Sequence, residues 1–157
     1  MISVVPVKEG NIEEFSKVAT TFDPRILDEC PDVQSALYKA VDESTSSWVC
    51  TDGKRIFVLC GVFPHKEGSA FFWLMSDGDL ESCRYSFLKQ TRIFFNRLLE
   101  DYTYIVAVVN TEHEKSIKWL RWLGFEIVPE ALPYAHGRAT YYNAWIKGAL
   151  WTQLVSE

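Results

Sequence analysis

Residues 108–125 read Val-Val-Asn-Thr-Glu-His-Glu-Lys-Ser-Ile-Lys-Trp-Leu-Arg-Trp-Leu-Gly-Phe. The period changes in the middle of this stretch. Residues 104–109 form a near-continuous apolar run, with the length and composition of a central strand covered on both faces. His113, Ser116, Ile117, Leu120 and Leu123 then recur at helical spacing. Thr111 or Asn110 is the expected cap of that helix, and Gly124 its left-handed stop. A buried strand feeding straight into a short amphipathic helix places the chain among α/β proteins.

The same two periods continue outward in both directions. Upstream, Asp79 is the expected cap of a long helix over 80–102, whose inner face is Leu80, Cys83, Arg84, Phe87, Leu88, Thr91, Phe94, Phe95, Leu98, Leu99 and Tyr102. Before it, residues 47–51, 55–63 and 70–75 read as strands, the first two joined at Asp52-Gly53, where glycine accepts positive φ at little cost. Residues 2–7 form a β-branched run. Two helices follow it, one on Ile12, Phe15, Val18, Ala19 and Phe22 ending at Asp23-Pro24, the other on Val33, Ala36, Leu37, Ala40 and Val41 between Pro31-Asp32 and Ser44 to Ser47. Beyond Phe125, residues 126–128 and 139–146 read as closing strands around a loop with Pro129, Pro133 and Gly137. The expected order is β-α-α-β-β-β-α-β-α-β-β.

Composition bounds the function classes. With 157 residues, 48% of them hydrophobic and 15% aromatic, one sizeable core and a single domain over 1–157 are expected. A formal charge of −5 argues against nucleic-acid or anionic-membrane binding, which relies on basic patches. The longest apolar runs are of strand length, and Lys8, Glu9, Glu13 and Glu14 interrupt any leader-like segment, so a cytoplasmic protein without a membrane span is expected. Cys30, Cys50, Cys60 and Cys83 include no Cys-x-x-Cys pair, which argues against a metal centre and for buried small hydrophobes, although Cys50 and Cys60 flank the hairpin and are placed to face each other.

The strand, helix and Gly124-Phe125 together resemble the acetyl-CoA end of GNAT N-acyltransferases, and the element order extends this likeness over essentially the whole chain. The resemblance implies a single-domain GNAT-like α/β fold, with a mixed central sheet, flanking helices and splayed fourth and fifth strands, here 70–75 and 104–109. The pantetheine arm of acetyl-CoA would lie between those strands, its amides meeting backbone groups that the splay leaves unpaired. On this basis the backbone of Leu74, Met75 and Ser76 would hold pantetheine, and Ser82, Cys83 and Arg84 would meet the pyrophosphate. Asn110, His113 and Ser116 would line the thioester. His113 is the candidate catalytic residue, because histidine exchanges protons near neutral pH.

Two parts of the family apparatus are absent from this sequence. The phosphate-binding turn has one glycine, Gly78, and carries Asp77, Asp79 and Glu81, each opposing an anion by about 1 kcal/mol. Leu120 stands where family members place the tyrosine that protonates the departing thiolate. The strands 70–75 and 104–109 hold no carboxylate to serve as base, leaving Asp77, Glu112, His136, Tyr141 and Tyr142 as more distant candidates.

A second resemblance, to the internal virion protein A family of short-tailed phages, rests on Phe72 to Asp77, Phe87-Leu88-Lys89, Leu98 to Tyr102, and Asn110, His113, Ile117 and Leu120 before Gly124. It implies a phage-associated protein with a degenerate acyl-CoA site, acting in virion assembly or infection through a phage or host protein partner. Its place would be the host cytoplasm or the virion. The alternative is an active N-acetyltransferase using acetyl-CoA on a primary amine. Trp119 and Trp122, three apart on the same helix, mark either a partner surface or packing against Trp151 and its neighbours, which also offer a stripe for an oligomer contact.

Overall fold

The computed structural model describes residues 2–22, 33–77, 83–133 and 140–155. Its strands are β1 (Ser3–Pro6), β2 (Ser46–Thr51), β3 (Ile56–Pro64), β4 (Ala70–Ser76), β5 (Tyr104–Asn110), β6 (Glu126–Ile127), β7 (Leu132–Pro133) and β8 (Thr140–Lys147). The helices are α1 (Asn11–Phe22), α2 (Val33–Glu43), α3 (Arg84–Leu98), α4 (Glu114–Leu123) and α5 (Trp151–Val155), with short 3-10 turns at Lys66–Gly68 and Leu99–Asp101. One mixed sheet runs in the order β1, β2, β3, β4, β5, β8, β6, with β7 also paired to β8. The chain packs as two compact units, residues 1–63 with 73–94, and residues 64–72 with 95–157.

In the first unit the β2–β3 hairpin separates two apolar layers. Val49 stands opposite Leu59 and, with Ile12, Phe15, Val33 and Leu37 from α1 and α2, forms the core of one face. Trp48 stands opposite Cys60 and Cys50 opposite Val58, so these side chains share the other face, where Phe94 of α3 meets the Trp48 ring edge-on at 4.8 Å. Burial on both faces explains why Ile56 to Val62 are all buried. The Asp52-Gly53 turn forms as expected: Gly53 has φ 93°, and Asp52 Oδ1 accepts the Lys54 and Arg55 amides. Those hydrogen bonds hold the Asp52 carboxyl below its ordinary pKa.

In the second unit β5 and β8 pair antiparallel along their whole length, from Tyr104 opposite Lys147 to Asn110 opposite Tyr141. Phe95 is the hub beneath them, its ring edge-on to Phe72 at 4.8 Å, Phe125 at 5.7 Å and Trp119 at 5.9 Å. Helix α4 ends as anticipated, with Gly124 at φ 106°, its amide donating to Arg121 and that of Phe125 to Leu120. A methyl group at Gly124 would lie 3.1 Å from Ile146 Cδ1. Gly124→Ala is therefore expected to cost about 1–2 kcal/mol in denaturant melts. A cost under a few tenths would mean the left-handed stop is dispensable.

Several boundaries differ from expectation for local reasons. The third helix is regular only over Arg84–Leu98, tightening to a 3-10 turn before Tyr102, while Asp79, Leu80 and the start anticipated there lie outside the described residues. Arg84, expected on its inner face, is exposed. Neither Asn110 nor Thr111 caps α4: its N-cap is His113, whose side chain makes no capping hydrogen bond. The Asn110 side chain instead accepts the Glu112 amide at 2.8 Å, closing a turn before the helix, and the Thr111 hydroxyl meets that of Thr140. Strand β7, expected as loop because of Pro133, pairs its two residues with Tyr141 and Thr140 at the end of β8, a position proline tolerates.

Candidate acyl-CoA site

The residues expected to hold the pantetheine arm belong to β4. In the second unit β4 and β5 run parallel, but their register covers only Ala70 opposite Ile105 and Phe71 opposite Val106, two positions in strands of seven residues. Among the described residues the ladder goes no further, while β8 continues along β5 to Asn110. The edge of β5 turned away from β8 at Ala107 to Val109 is thus backbone without a ladder partner, which calls for a ligand or water. Leu74, Met75 and Ser76 are half-buried in the first unit, where Met75 and Trp73 pack against the α1–α2 core. The Trp73 indole N–H donates to the Ser44 hydroxyl at 2.8 Å, fixing that part of the strand.

At the carboxyl end of β4 the sequence-based view needs correcting. Asp77 was expected to present its charge to bound phosphates, yet it is fully buried, with 0% of its side chain exposed. Its Oδ2 lies 3.2 Å from the Arg55 guanidinium, and its amide donates to the Phe57 carbonyl at 2.9 Å. Arg55 in turn stacks on the Phe57 ring, 4.2 Å from its centroid. The ion pair cancels one of the three acidic charges that argued against anion binding. Asp79, Glu81, Gly78 and the candidate Ser82 lie outside the described residues.

Cys83 is half-buried immediately ahead of α3. Arg84, the cation expected at the pyrophosphate, is exposed with its guanidinium 5.8 Å from the ring of exposed Tyr85. The Ser86 hydroxyl accepts the Ile2 amide at 2.8 Å, tying the first turns of the helix to β1. Cys50 and Cys60 are buried thiols. They do not stand opposite each other but diagonally, since their partners are Val58 and Trp48.

Burial, with Cys83 adding to it, pushes the Cys50 thiol up to about 12, and burial pushes Cys60 up as well. Folded-state values above the unfolded ones mean that this contribution to stability is intact below about pH 9 and is lost as pH rises toward 12. Alkaline titration should therefore show stability falling above pH 9, and alkylation at pH 8 should spare Cys50 and Cys60 until denaturant is added. Rapid labelling of either in the folded protein would contradict this packing.

The thioester candidates are carried by the β5–α4 junction. Asn110 is buried and its side chain supports the turn, and Ser116 is half-buried one turn into α4. His113 sits between them with φ −83° and ψ 72°, and its Nε2 is a buried atom with no hydrogen-bond partner among the described residues. An imidazole nitrogen shut away from water without a partner costs free energy. Leu120 is buried and apolar. Tyr141 and Tyr142 are half-buried on β8, and His136 lies outside the described residues.

Other features do not compete with this site. Among the described residues no three His, Cys, Asp or Glu side chains converge as a metal site, and no helix is long and apolar enough to cross a membrane. A shallow cavity of about 420 Å³ in the first unit is lined by Pro6, Val7, Val41, Trp48 and residues 44–47, with no titratable side chain. Trp151 packs on Tyr104 and Trp145, with ring centroids 5.9 and 5.7 Å away. The Trp119 ring is half-buried on Phe95, whereas Trp122 is 43% exposed.

No family model and no curated protein matches the chain. Solved structures do match it. The spermidine N-acetyltransferase from Vibrio cholerae, in complex with CoA and spermine, is 16% identical with a TM-score of 0.65, covering 94% of this chain and 96% of that one. RimL, the ribosomal L7/L12 alpha-N-protein acetyltransferase in complex with coenzyme A, is 5% identical with a TM-score of 0.72 and 93% of each chain covered. The ribosomal-protein-S18-alanine N-acetyltransferase from Escherichia coli gives 9% identity, a TM-score of 0.63 and 94% of each chain covered. At such identities the likeness is one of fold, and it agrees with the mixed sheet and the curtailed β4–β5 ladder: the chain has the GNAT acyl-CoA N-acyltransferase fold.

Proposed function

We propose that the chain binds an acyl-CoA, acetyl-CoA being the expected donor, and transfers the acyl group to a primary amine by direct attack in a ternary complex. The observation that carries this reading is the β4–β5 ladder, which stops after two register positions and leaves backbone edge at Ala107 to Val109 for pantetheine amides. The unpartnered His113 Nε2 fits the same ligand. Solved structures of this fold include CoA complexes of polyamine and ribosomal-protein acetyltransferases, which supports an amine acceptor without choosing its class.

When bound, the acyl-CoA supplies an activated thioester carbonyl. The chain's own residues then have separate tasks. The backbone of Leu74, Met75 and Ser76 would hold the pantetheine arm, and Cys83 and Arg84 would be the cofactor's phosphate-side residues. Asn110 and Ser116 line the thioester. His113 holds at Nε2 the proton that passes to the leaving sulfur as the new amide bond forms, a task Leu120 cannot perform. The amine's proton leaves to water. Incubation with acetyl-CoA and a panel of polyamines and peptide N-termini, with free thiol followed over time, tests the reading. Turnover on at least one amine supports it; no turnover together with no acetyl-CoA-dependent rise in melting temperature overturns it.

A second reading is favoured by the exposure of Trp122 at 43% and Val128 at 36%. Here the same fold serves as a non-catalytic protein-binding module in phage assembly or infection, in the host cytoplasm or the virion. Trp122→Ala is then expected to weaken capture of a phage or host partner, with Trp119→Ala as the comparison. Equal recovery with both variants would remove this surface from consideration.

A further inference from the structure

The backbone of His113 is neither helical nor extended, with φ −83° and ψ 72° at the head of α4. The Glu114 amide donates to the Glu112 carbonyl at 3.0 Å, which makes His113 the centre of an inverse γ-turn, a relaxed conformation for an L-residue. Bonds on either side keep it there. The His113 amide donates to the Asn110 carbonyl at 3.0 Å, and the His113 carbonyl accepts the Ile117 amide at 3.0 Å. One side chain takes part in this framework: Asn110 Oδ1 accepts the Glu112 amide at 2.8 Å, an Asx-turn that leads directly into the γ-turn. Asn110 thus holds two amides in succession, that of Glu112 through its side chain and that of His113 through its main chain. It is also a fixed point, being the last residue of β5, buried, and in register with Tyr141 of β8. The next residue extends the attachment, with the Thr111 amide donating to the Thr140 carbonyl at 3.0 Å and the two threonine hydroxyls 2.8 Å apart.

We infer that Asn110 is a positioning residue: its side-chain oxygen, by holding the Glu112 amide, fixes the γ-turn at His113 and with it the place of the imidazole. This rests on the acyl-transfer reading above, in which His113 protonates the leaving sulfur, and it gives Asn110 a task separate from touching the thioester. The imidazole goes where the backbone that bears it goes, and its Nε2 is already enclosed. Glu112 is exposed, so without the Asn110 oxygen its amide turns to water and the entry to the γ-turn is no longer set. Displacing a reacting group by a small distance is costly to rate and not to binding, so the effect falls on kcat.

The test compares the full-length protein with Asn110→Ala and Asn110→Asp. An ionised aspartate keeps an oxygen for the Glu112 amide but has no N–H, so it restores positioning and cannot restore a hydrogen bond donated to substrate. Three quantities are followed: turnover of acetyl-CoA with the polyamine and peptide panel, CoA affinity by calorimetry, and carbethoxylation of His113 by diethyl pyrocarbonate. The last is read by peptide mass spectrometry, with exposed His65 as the internal reference. Asn110→Ala is expected to lower kcat about tenfold or more at unchanged CoA affinity, and to speed modification of His113 relative to His65. Asn110→Asp should recover most of both losses. Unchanged turnover and unchanged His113 labelling in the alanine variant, or an aspartate variant as impaired as the alanine one, would overturn the inference while leaving acyl transfer intact. If the unaltered protein turns over no amine, the acyl-transfer reading falls; labelling that rises in the alanine variant and returns in the aspartate one then still supports the placement of the imidazole by Asn110, and labelling that does not change removes it.

Discussion

Replacing Gly148 with alanine is expected to destabilise the protein by about 3 kcal/mol and to lower its melting temperature by roughly 10 °C. A Cβ at this position would lie 2.1 Å from the Tyr102 carbonyl oxygen, 2.8 Å from its carbon and 3.0 Å from the Leu99 oxygen. All three are backbone atoms, so no side-chain rotation relieves the clash. The same spot carries a dense set of main-chain bonds, with Gly148 donating to Thr103 at 2.9 Å, Ala149 to Leu99 at 2.8 Å and Leu150 to Tyr102 at 3.1 Å. These bonds seat α5, and with it the Trp151 ring on Tyr104 and Trp145. Pushing Gly148 away would loosen both together. A loss below about 1 kcal/mol in denaturant melts would show that this close approach is not needed.

The second large effect concerns chemistry. His113→Ala is expected to lower kcat about a hundredfold with little change in CoA affinity, because the imidazole would act on the leaving sulfur and not in holding the nucleotide. The same substitution removes a buried nitrogen that has no partner among the described residues, so stability should hold or rise slightly. A variant that kept full turnover would reassign the proton to another group, with Tyr141 and Tyr142 next to be tested. A variant that lost CoA binding and stability together would make His113 a structural residue of the β5–α4 turn.

The fold was legible wherever a single local cause acts. Gly124 stops α4 because its backbone must adopt positive φ, and Asp52-Gly53 turns the hairpin because the Asp52 side chain accepts the Lys54 and Arg55 amides. The shift from an apolar run at 104–109 to helical spacing after Asn110 placed β5 within one residue, whereas α4 starts two or three residues later than a cap at Asn110 or Thr111 implies. Caps were less legible. Asn110 has the right chemistry to cap α4, but its side chain is taken by the Glu112 amide two residues on, and local turn bonds of this kind compete with capping.

The site was only partly legible because its decisive contacts are distant in sequence. Asp77 reads as one more acid in an unfavourable turn until Arg55, 22 positions earlier, is found beside it. A signal was present: a cation at the start of one apolar strand and an anion at the end of the next place opposite charges at matching ends of neighbouring strands. The unpartnered Nε2 of His113 could not be read from residue types at all, because it depends on what fails to approach it. With Asp77 neutralised by Arg55, the remaining objections to acyl-CoA binding are the charges of Asp79 and Glu81, the sparse glycine in the phosphate turn and the leucine at position 120.

Calorimetric titration of the purified chain with acetyl-CoA tests the central claim most directly. The account predicts saturable binding with one acetyl-CoA per chain and a rise in melting temperature that grows with ligand concentration. Absence of heat and of any melting shift at millimolar acetyl-CoA would contradict it, leaving the fold as a scaffold for a protein partner.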